Sequence, residues 1–224
     1  MDVPVSSPRF AGWNGTSRLH AVMGSLVGRT RELRTLRAAT DAALKGRAGV
    51  ALVAGAAGIG KTRLAEETAQ YAESAGARTL WAACLPREGL PYWPWVQVLR
   101  AYARERGLQA LIAGIGAVSQ DLARLVPDLL PSAEPEPRGQ TLDPDQQRFR
   151  LFDSVATFLQ KISDAQPCVV VLDDLHWADA PSLMLLHFLA RDVRDARLLI
   201  VGTYRDDEVD RDQPPPPCAS FSLD

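Results

Sequence analysis

The chain of 224 residues has 25 basic and 27 acidic side chains, a formal net charge of −2, and 46% hydrophobic residues. That is the mixture of an ordinary globular domain with a sizeable core, and it offers no global basic field for nucleic acid or a membrane surface. No apolar stretch approaches the length of a transmembrane helix, and the opening MDVPVSSPRFAGWNG lacks the unbroken apolar run of a secretory signal. The expectation is a cytoplasmic protein with no membrane partner and no direct DNA binding.

Residues 1–22 are rich in Pro, Ser, Gly and Asn without a period and read as disordered. A helix follows, with Leu33, Leu36, Ala43 and Leu44 on one face, Thr30 as candidate N-cap and Gly46 as its end. An apolar strand is expected over 50–54, a helix over 61–75 stopped by Gly76, and a second strand over 78–84. Val96, Leu99 and Tyr102 mark a helix that ends at Gly107, and two weaker helical pieces cover 108–115 and 119–129. Pro-rich 131–144 reads as a loop. A strong helical pattern runs over 145–162, then a strand over 168–172. Leu183, Leu186 and Leu189 mark the next helix, with Asp179 as candidate N-cap, and a fourth strand covers 198–202. Residues 210–224, with four prolines in a row, read as a disordered tail. Continuously apolar strands separated by helices predict an α/β fold, a mostly parallel sheet covered on both faces.

The three cysteines, Cys84, Cys168 and Cys218, are an odd and scattered set that suggests buried thiols and no disulfide framework. His20, His176 and His187 are far apart in sequence, so no Cys/His cluster with zinc-ligand spacing is seen.

The chemistry concentrates in the segment Gly55-Ala56-Ala57-Gly58-Ile59-Gly60-Lys61-Thr62-Arg63. Its first eight residues fit G-x-x-x-x-G-K-[ST]. Glycines there let the backbone curl so that successive N–H groups face a phosphate chain. The helix that follows aims its positive end at the same point. Lys61 is placed to reach the β- and γ-phosphates, and the Thr62 hydroxyl to ligate Mg²⁺. Further on, an apolar strand ends in Asp173-Asp174. Carboxylates at a strand's carboxyl end fit the ligand crevice of an open α/β sheet. Asp173 is the candidate for the Mg²⁺ shell, and Asp174 for orienting or deprotonating an attacking water. Arg205, just past the fourth strand, is placed to sense the γ-phosphate. A plain strand cap and a solvated arginine are the alternatives for these last two elements.

The strings LVGRTREL, GAAGIGKTRL, VVVLDDLHWAD and LLIVGTYRDDEV, in that order, resemble the STAND-class signal-transduction ATPases. The nearest likeness is the AAA-like ATPase domain of large ATP-binding LuxR-type bacterial regulators, and it runs from about Leu26 to Val209. The resemblance implies a P-loop NTPase three-layer sandwich over 23–209 and an ATP-binding switch with slow Mg-dependent hydrolysis of ATP to ADP. It implies that Val27, Gly28 and Arg29 pack near the adenine, that Gly55–Thr62 are Walker A, that Asp173 and Asp174 are Walker B, and that Arg205 reads the γ-phosphate. His176 and Trp177 match the family string without an assigned chemistry, and the plain expectation is a structured loop with Trp177 packed underneath. Family members continue well past this point, and the tail does not resemble their continuation. A fifth strand is therefore expected to be missing, which leaves the order 1-4-3-2, a bare edge on the first strand, and a tendency to self-association. The alternative function is a nucleotide-binding or interaction fragment without turnover. A small-molecule kinase shares the same phosphate loop, whereas the N-K-x-D and LSGGQ-like strings of GTPases and transporter ATPases are absent from the sequence.

Overall fold

The computed structural model describes residues 28–84, 91–115, 119–130, 143–206 and 219–222. Its elements are α1 (Thr30–Leu44), β1 (Gly49–Ala54), α2 (Lys61–Ser74), β2 (Arg78–Ala83), α3 (Trp93–Arg106), α4 (Leu108–Ile115), α5 (Ser119–Leu125), α6 (Pro144–Ala165), β3 (Cys168–Asp173), α7 (Ala180–Asp192), β4 (Leu198–Tyr204) and β5 (Ala219–Ser222). The expected disordered residues 1–22, Val27, Cys218 and most of the 131–144 loop lie outside the described residues.

Every strand pairing is parallel, and the sheet order is β2-β3-β4-β1-β5. Alternation along each strand sorts side chains to opposite faces. Ala51 and Val53, Val169 and Val171, and Leu199 and Val201 join the core formed with α1 and α2. Leu52, Cys168, Val170, Leu172, Leu198 and Ile200 join the larger core under α3 to α7. Both faces are covered by helices, which is why these strands read as unbroken apolar runs.

The four longer strands stand in the expected order β1-β4-β3-β2 of a P-loop NTPase three-layer sandwich. The expectation of a missing fifth strand is corrected. Residues 219–222 pair with β1 in register Ala51 to Ala219 through Ala54 to Ser222. The segment reads Ala-Ser-Phe-Ser, a period of two only four residues long, too short to stand out after the proline run. The free N–H and C=O groups along β1 supply its partners. β1 is thus an interior strand, and the argument for self-association through a bare β1 edge falls with it.

The other sheet edge is also managed. On β2, the Gln97 side chain of α3 donates to Ala83 O at 2.6 Å and accepts from Ala83 N at 3.4 Å. A side-chain amide there takes the place of a neighbouring strand. At the opposite end of β2, the buried Arg78 guanidinium donates to Glu105 at 3.0 Å and Gln166 at 2.8 Å and lies over the Tyr102 ring.

Helix ends follow their local chemistry with two adjustments. Thr30 is the first residue of α1 rather than its cap: the cap position is Arg29, whose side chain makes no capping hydrogen bond. The sixth helix starts at Pro144, with Asp143 accepting from Gln146 N at 2.9 Å. Asp179 does cap α7, accepting from Ser182 N at 2.8 Å, and it also takes the Tyr92 N–H at 3.2 Å. Among the described residues, no helix is long and apolar enough to cross a membrane.

Gly202 in β4 marks the tightest packing. A Cβ there would strike Leu175 Cδ1 and lie 2.8 Å from Leu52 Cδ2, and both leucines are buried. Gly202→Ala is expected to destabilise the fold by about 1–3 kcal/mol through overpacking, a melting temperature lower by roughly 5 °C for a domain of this size. Calorimetric melting checks it, and an unchanged Tm contradicts it.

Candidate functional site

The carboxyl ends of β1, β3 and β4 meet at one edge of the sheet, and the polar residues gather there. From β1 the chain passes through Gly55 at φ 149°, Gly58 at φ 76° and Gly60 at φ 99° before α2 begins at Lys61. Left-handed angles of this kind strain any residue with a Cβ. They curl the loop around the start of α2. Ala56, Ala57 and Gly58 are exposed at the rim, while Ile59 packs against the core of α1 and α2.

Lys61 is 6% exposed. Its Nζ donates to Gly55 O at 2.7 Å and Ala56 O at 2.8 Å, so the ammonium is held inside the loop. Thr62, one residue on, donates through Oγ1 to the Asp173 carboxylate, 3.2 Å from each oxygen. Arg63 turns along α2 and pairs with Glu66 at 3.5 Å and Glu67 at 2.6 Å.

Asp173 ends β3 and is 4% exposed. Burial pushes its carboxyl above the ordinary range, and the nearby Asp174 and Glu66 charges add to this, while hydrogen bonds from Thr203 and Thr62 oppose it. A buried carboxylate beside a hydroxyl is a pair of hard oxygen donors, the set that suits a small divalent cation completed by phosphate oxygens and water. Together with a lysine ammonium lodged in a glycine-rich loop, these residues fit Mg²⁺ with a nucleotide phosphate.

Asp174 follows at φ 60°, ψ 48°, with its side chain 42% exposed. The left-handed backbone swings this carboxylate out of the strand direction, toward solvent, while Asp173 stays buried. His176 Nδ1 lies 3.9 Å from Asp174 Oδ1, and the His176 side chain is 1% exposed. Trp177 corrects an expectation: it is 44% exposed and leans on the His176 ring at 5.1 Å. The histidine is the member of the pair packed underneath, because the short 3-10 helix over Leu175–Trp177 turns Leu175 and His176 inward.

Arg205 is half-buried and stands one residue past β4. Ala54 pairs with Tyr204, so the register puts Arg205 level with Gly55 at the mouth of the loop. Gly28 is exposed with φ 86°, and Arg29 pairs with Glu32 at 3.2 Å. Thr203 also stands at this edge, within β4, a residue to which the sequence reading attaches no role of its own. Its signal was a hydroxyl near the end of an otherwise apolar strand, Leu-Leu-Ile-Val-Gly-Thr-Tyr. Cys84 also lies close by, donating its N–H to Asp173 O at 2.8 Å. Burial, and then the Asp173, Asp174 and Asp179 charges, push its thiol far up, away from the reactive thiolate form.

Residues 25–201 match the AAA ATPase domain family. The chain belongs to that family. As an AAA ATPase domain it carries a nucleotide-binding P-loop fold, in keeping with the sheet order and the loop ahead of α2. The chain is 27% identical over 209 residues to an uncharacterized protein of Rhizobium meliloti (strain 1021), an alignment covering 85% of this chain and 20% of that protein. It therefore spans about a fifth of the length of the curated relative it matches. Among solved structures, a chain in the structure of Drosophila ORC bound to AT-rich DNA and Cdc6 aligns at a TM-score of 0.40 and 11% identity, over 86% of this chain and 54% of that one.

Proposed function

We propose that this AAA ATPase domain is an ATP-binding switch of the STAND type, with slow Mg-dependent hydrolysis, built into a LuxR-type regulator or a similar cytoplasmic signalling protein. The observation that carries the reading is the Thr62 hydroxyl 3.2 Å from both Asp173 oxygens, one residue past a lysine held in its loop. In this reading the backbone N–H groups of Gly55 to Arg63 bind the phosphates, and Lys61 leaves its carbonyl partners for the β- and γ-oxygens. Thr62 and Asp173 hold Mg²⁺, which when bound neutralises charge on the phosphates. Asp174, exposed beside them, orients and deprotonates the attacking water. Arg205 reads the γ-phosphate, and Val27, Gly28 and Arg29 border the adenine.

A switch must bind its two nucleotide states unequally, because only a difference in affinity moves an equilibrium. Thermal melts with Mg-ATP and Mg-ADP test this, together with a turnover assay. Ligand at a hundredfold excess over Kd stabilises by about 2.7 kcal/mol, so Mg-ATP is expected to raise Tm by several degrees. Mg-ADP is expected to give a different shift, and ADP to accumulate slowly. Shifts without ADP formation would leave a nucleotide-loaded interaction domain. No shift with either nucleotide contradicts the proposal.

A further inference from the structure

The segment from Asp174 to Asp179 joins the phosphate edge to α7, and its far end is tied to a different helix. Asp179 Oδ1 accepts from Ser182 N at 2.8 Å and from Tyr92 N at 3.2 Å, and Oδ2 accepts from Ser182 Oγ at 2.6 Å. A second bond runs beside these: Trp95 Nε1 donates to Ser182 O at 3.1 Å, and both residues are buried. Tyr92 and Trp95 open α3, the first of the helices α3 to α6 that the chain places between β2 and β3. The start of α3 is therefore fastened to the start of α7, once through a carboxylate and once through a backbone carbonyl.

Backbone strain marks the same connection. Among the described residues, Asp174 and Tyr92 are the two non-glycine residues with left-handed φ, at 60° and 64°. One opens the segment, and the other is hydrogen-bonded to its close. Left-handed backbone is unfavourable for a residue as large as tyrosine and persists where its surroundings hold it. The Asp179 carboxylate takes the Tyr92 N–H, and the Tyr92 ring meets Phe152 of α6 edge-on at 6.1 Å. Between the two strained residues lie a single 3-10 turn, closed by Trp177 N to Asp174 O at 2.9 Å, and the extended Ala178 and Asp179.

We propose that Asp179 is a joint between the nucleotide site and the helices α3 to α6: its carboxylate holds the left-handed Tyr92 turn in one nucleotide state and slackens its hold in the other. This inference rests on the reading of the site given above. In that reading the γ-phosphate and its attacking water face Asp174, so ATP and ADP load that residue differently. A change at Asp174 turns the 3-10 helix, and the Asp179 side chain, so few residues away, moves with it. Release of Tyr92 lets the strained turn relax, which gives the start of α3 two discrete positions. A two-state element that the site biases is what such coupling requires. α3 packs along β2 and against α4, so its displacement reaches the other helices of the group.

The test uses the full chain. Hydrogen exchange of the Tyr92, Trp95 and Val96 amides is read by nuclear magnetic resonance in Mg-ADP and in a non-hydrolysable Mg-ATP analogue with a β,γ-imido bridge. Titration calorimetry gives both affinities. In the wild type, protection of these amides is expected to differ between the two states by roughly tenfold or more, the size of one hydrogen bond to a charged group. Asp179→Ser keeps a cap for α7 and is too short to reach Tyr92 as well. Its protection is expected to be low with either nucleotide. Because coupling is reciprocal, the ratio of its two affinities is expected to shift by about fivefold or more. Asp179→Asn keeps the Oδ1 acceptor and is expected to restore both. A loosened cap alone lowers protection equally in both states and leaves the affinity ratio as it was, so a wild-type ratio in the serine variant overturns the proposal. Equal protection of these amides with either nucleotide in the wild type also overturns it, a result that needs no variant to fold. A wild-type chain that binds neither nucleotide overturns the site reading itself, and this inference with it.

Discussion

Asp174→Asn is expected to slow ATP hydrolysis about 10²–10⁴-fold, the range for removing a general base, while leaving ATP affinity close to wild type. The geometry favours a clean experiment. Asp174 occupies the left-handed region, where asparagine is among the few residues tolerated. The backbone bond from its N–H to Thr203 Oγ1 does not involve the side chain and survives the change. The side chain is 42% exposed, so no buried charge is unmasked. What disappears is the capacity to take a proton from water. Single-turnover hydrolysis with enzyme in excess is the appropriate measurement, since it isolates chemistry from product release. An unchanged single-turnover rate would move the base elsewhere, and the buried His176 beside it is the next residue to test.

Lys61→Ala is expected to weaken ATP binding roughly ten- to hundredfold, from the loss of a charge-assisted contact of about 1.5–3 kcal/mol. In the structure the ammonium bridges two carbonyls of its own loop. Alanine leaves those carbonyls without that donor as well, so the loop should also lose order. Comparison with Lys61→Met, which keeps much of the stem, separates the lost charge from lost packing. Fluorescent-nucleotide titration reads the affinity, and equal affinity in wild type and both variants contradicts the assignment.

Much of this architecture was legible in the sequence because two strong signals overlap. Runs such as Cys-Val-Val-Val-Leu-Asp are short and rich in β-branched residues, as strands buried on both faces are, and each is separated from the next by helical spacing. The glycines of 55, 58 and 60 then fix where the phosphate loop must lie, because few other residues adopt those backbone angles. The pairing of Thr62 with Asp173, 111 residues apart, follows from the strand order. Three features were not legible for physical reasons. A four-residue strand carries too little pattern to be told from a tail, so β5 was missed. The bond from Thr203 to Asp173 and Asp174 arises from the register of two parallel strands, which no local spacing encodes. The inversion of His176 and Trp177 depends on the rotation of a single 3-10 turn, and aromatic size alone points the wrong way.

The central claim is that the loop of residues 55–62 and Asp173 form one Mg-nucleotide site. Titration calorimetry of the wild-type chain and of Asp173→Ala with ATP, with and without Mg²⁺, tests it most directly. The account predicts saturable one-to-one binding by the wild type that tightens when Mg²⁺ is present, and binding by Asp173→Ala that no longer responds to Mg²⁺. Absence of ATP binding by the folded wild-type chain, or an equal Mg²⁺ response in Asp173→Ala, would contradict it.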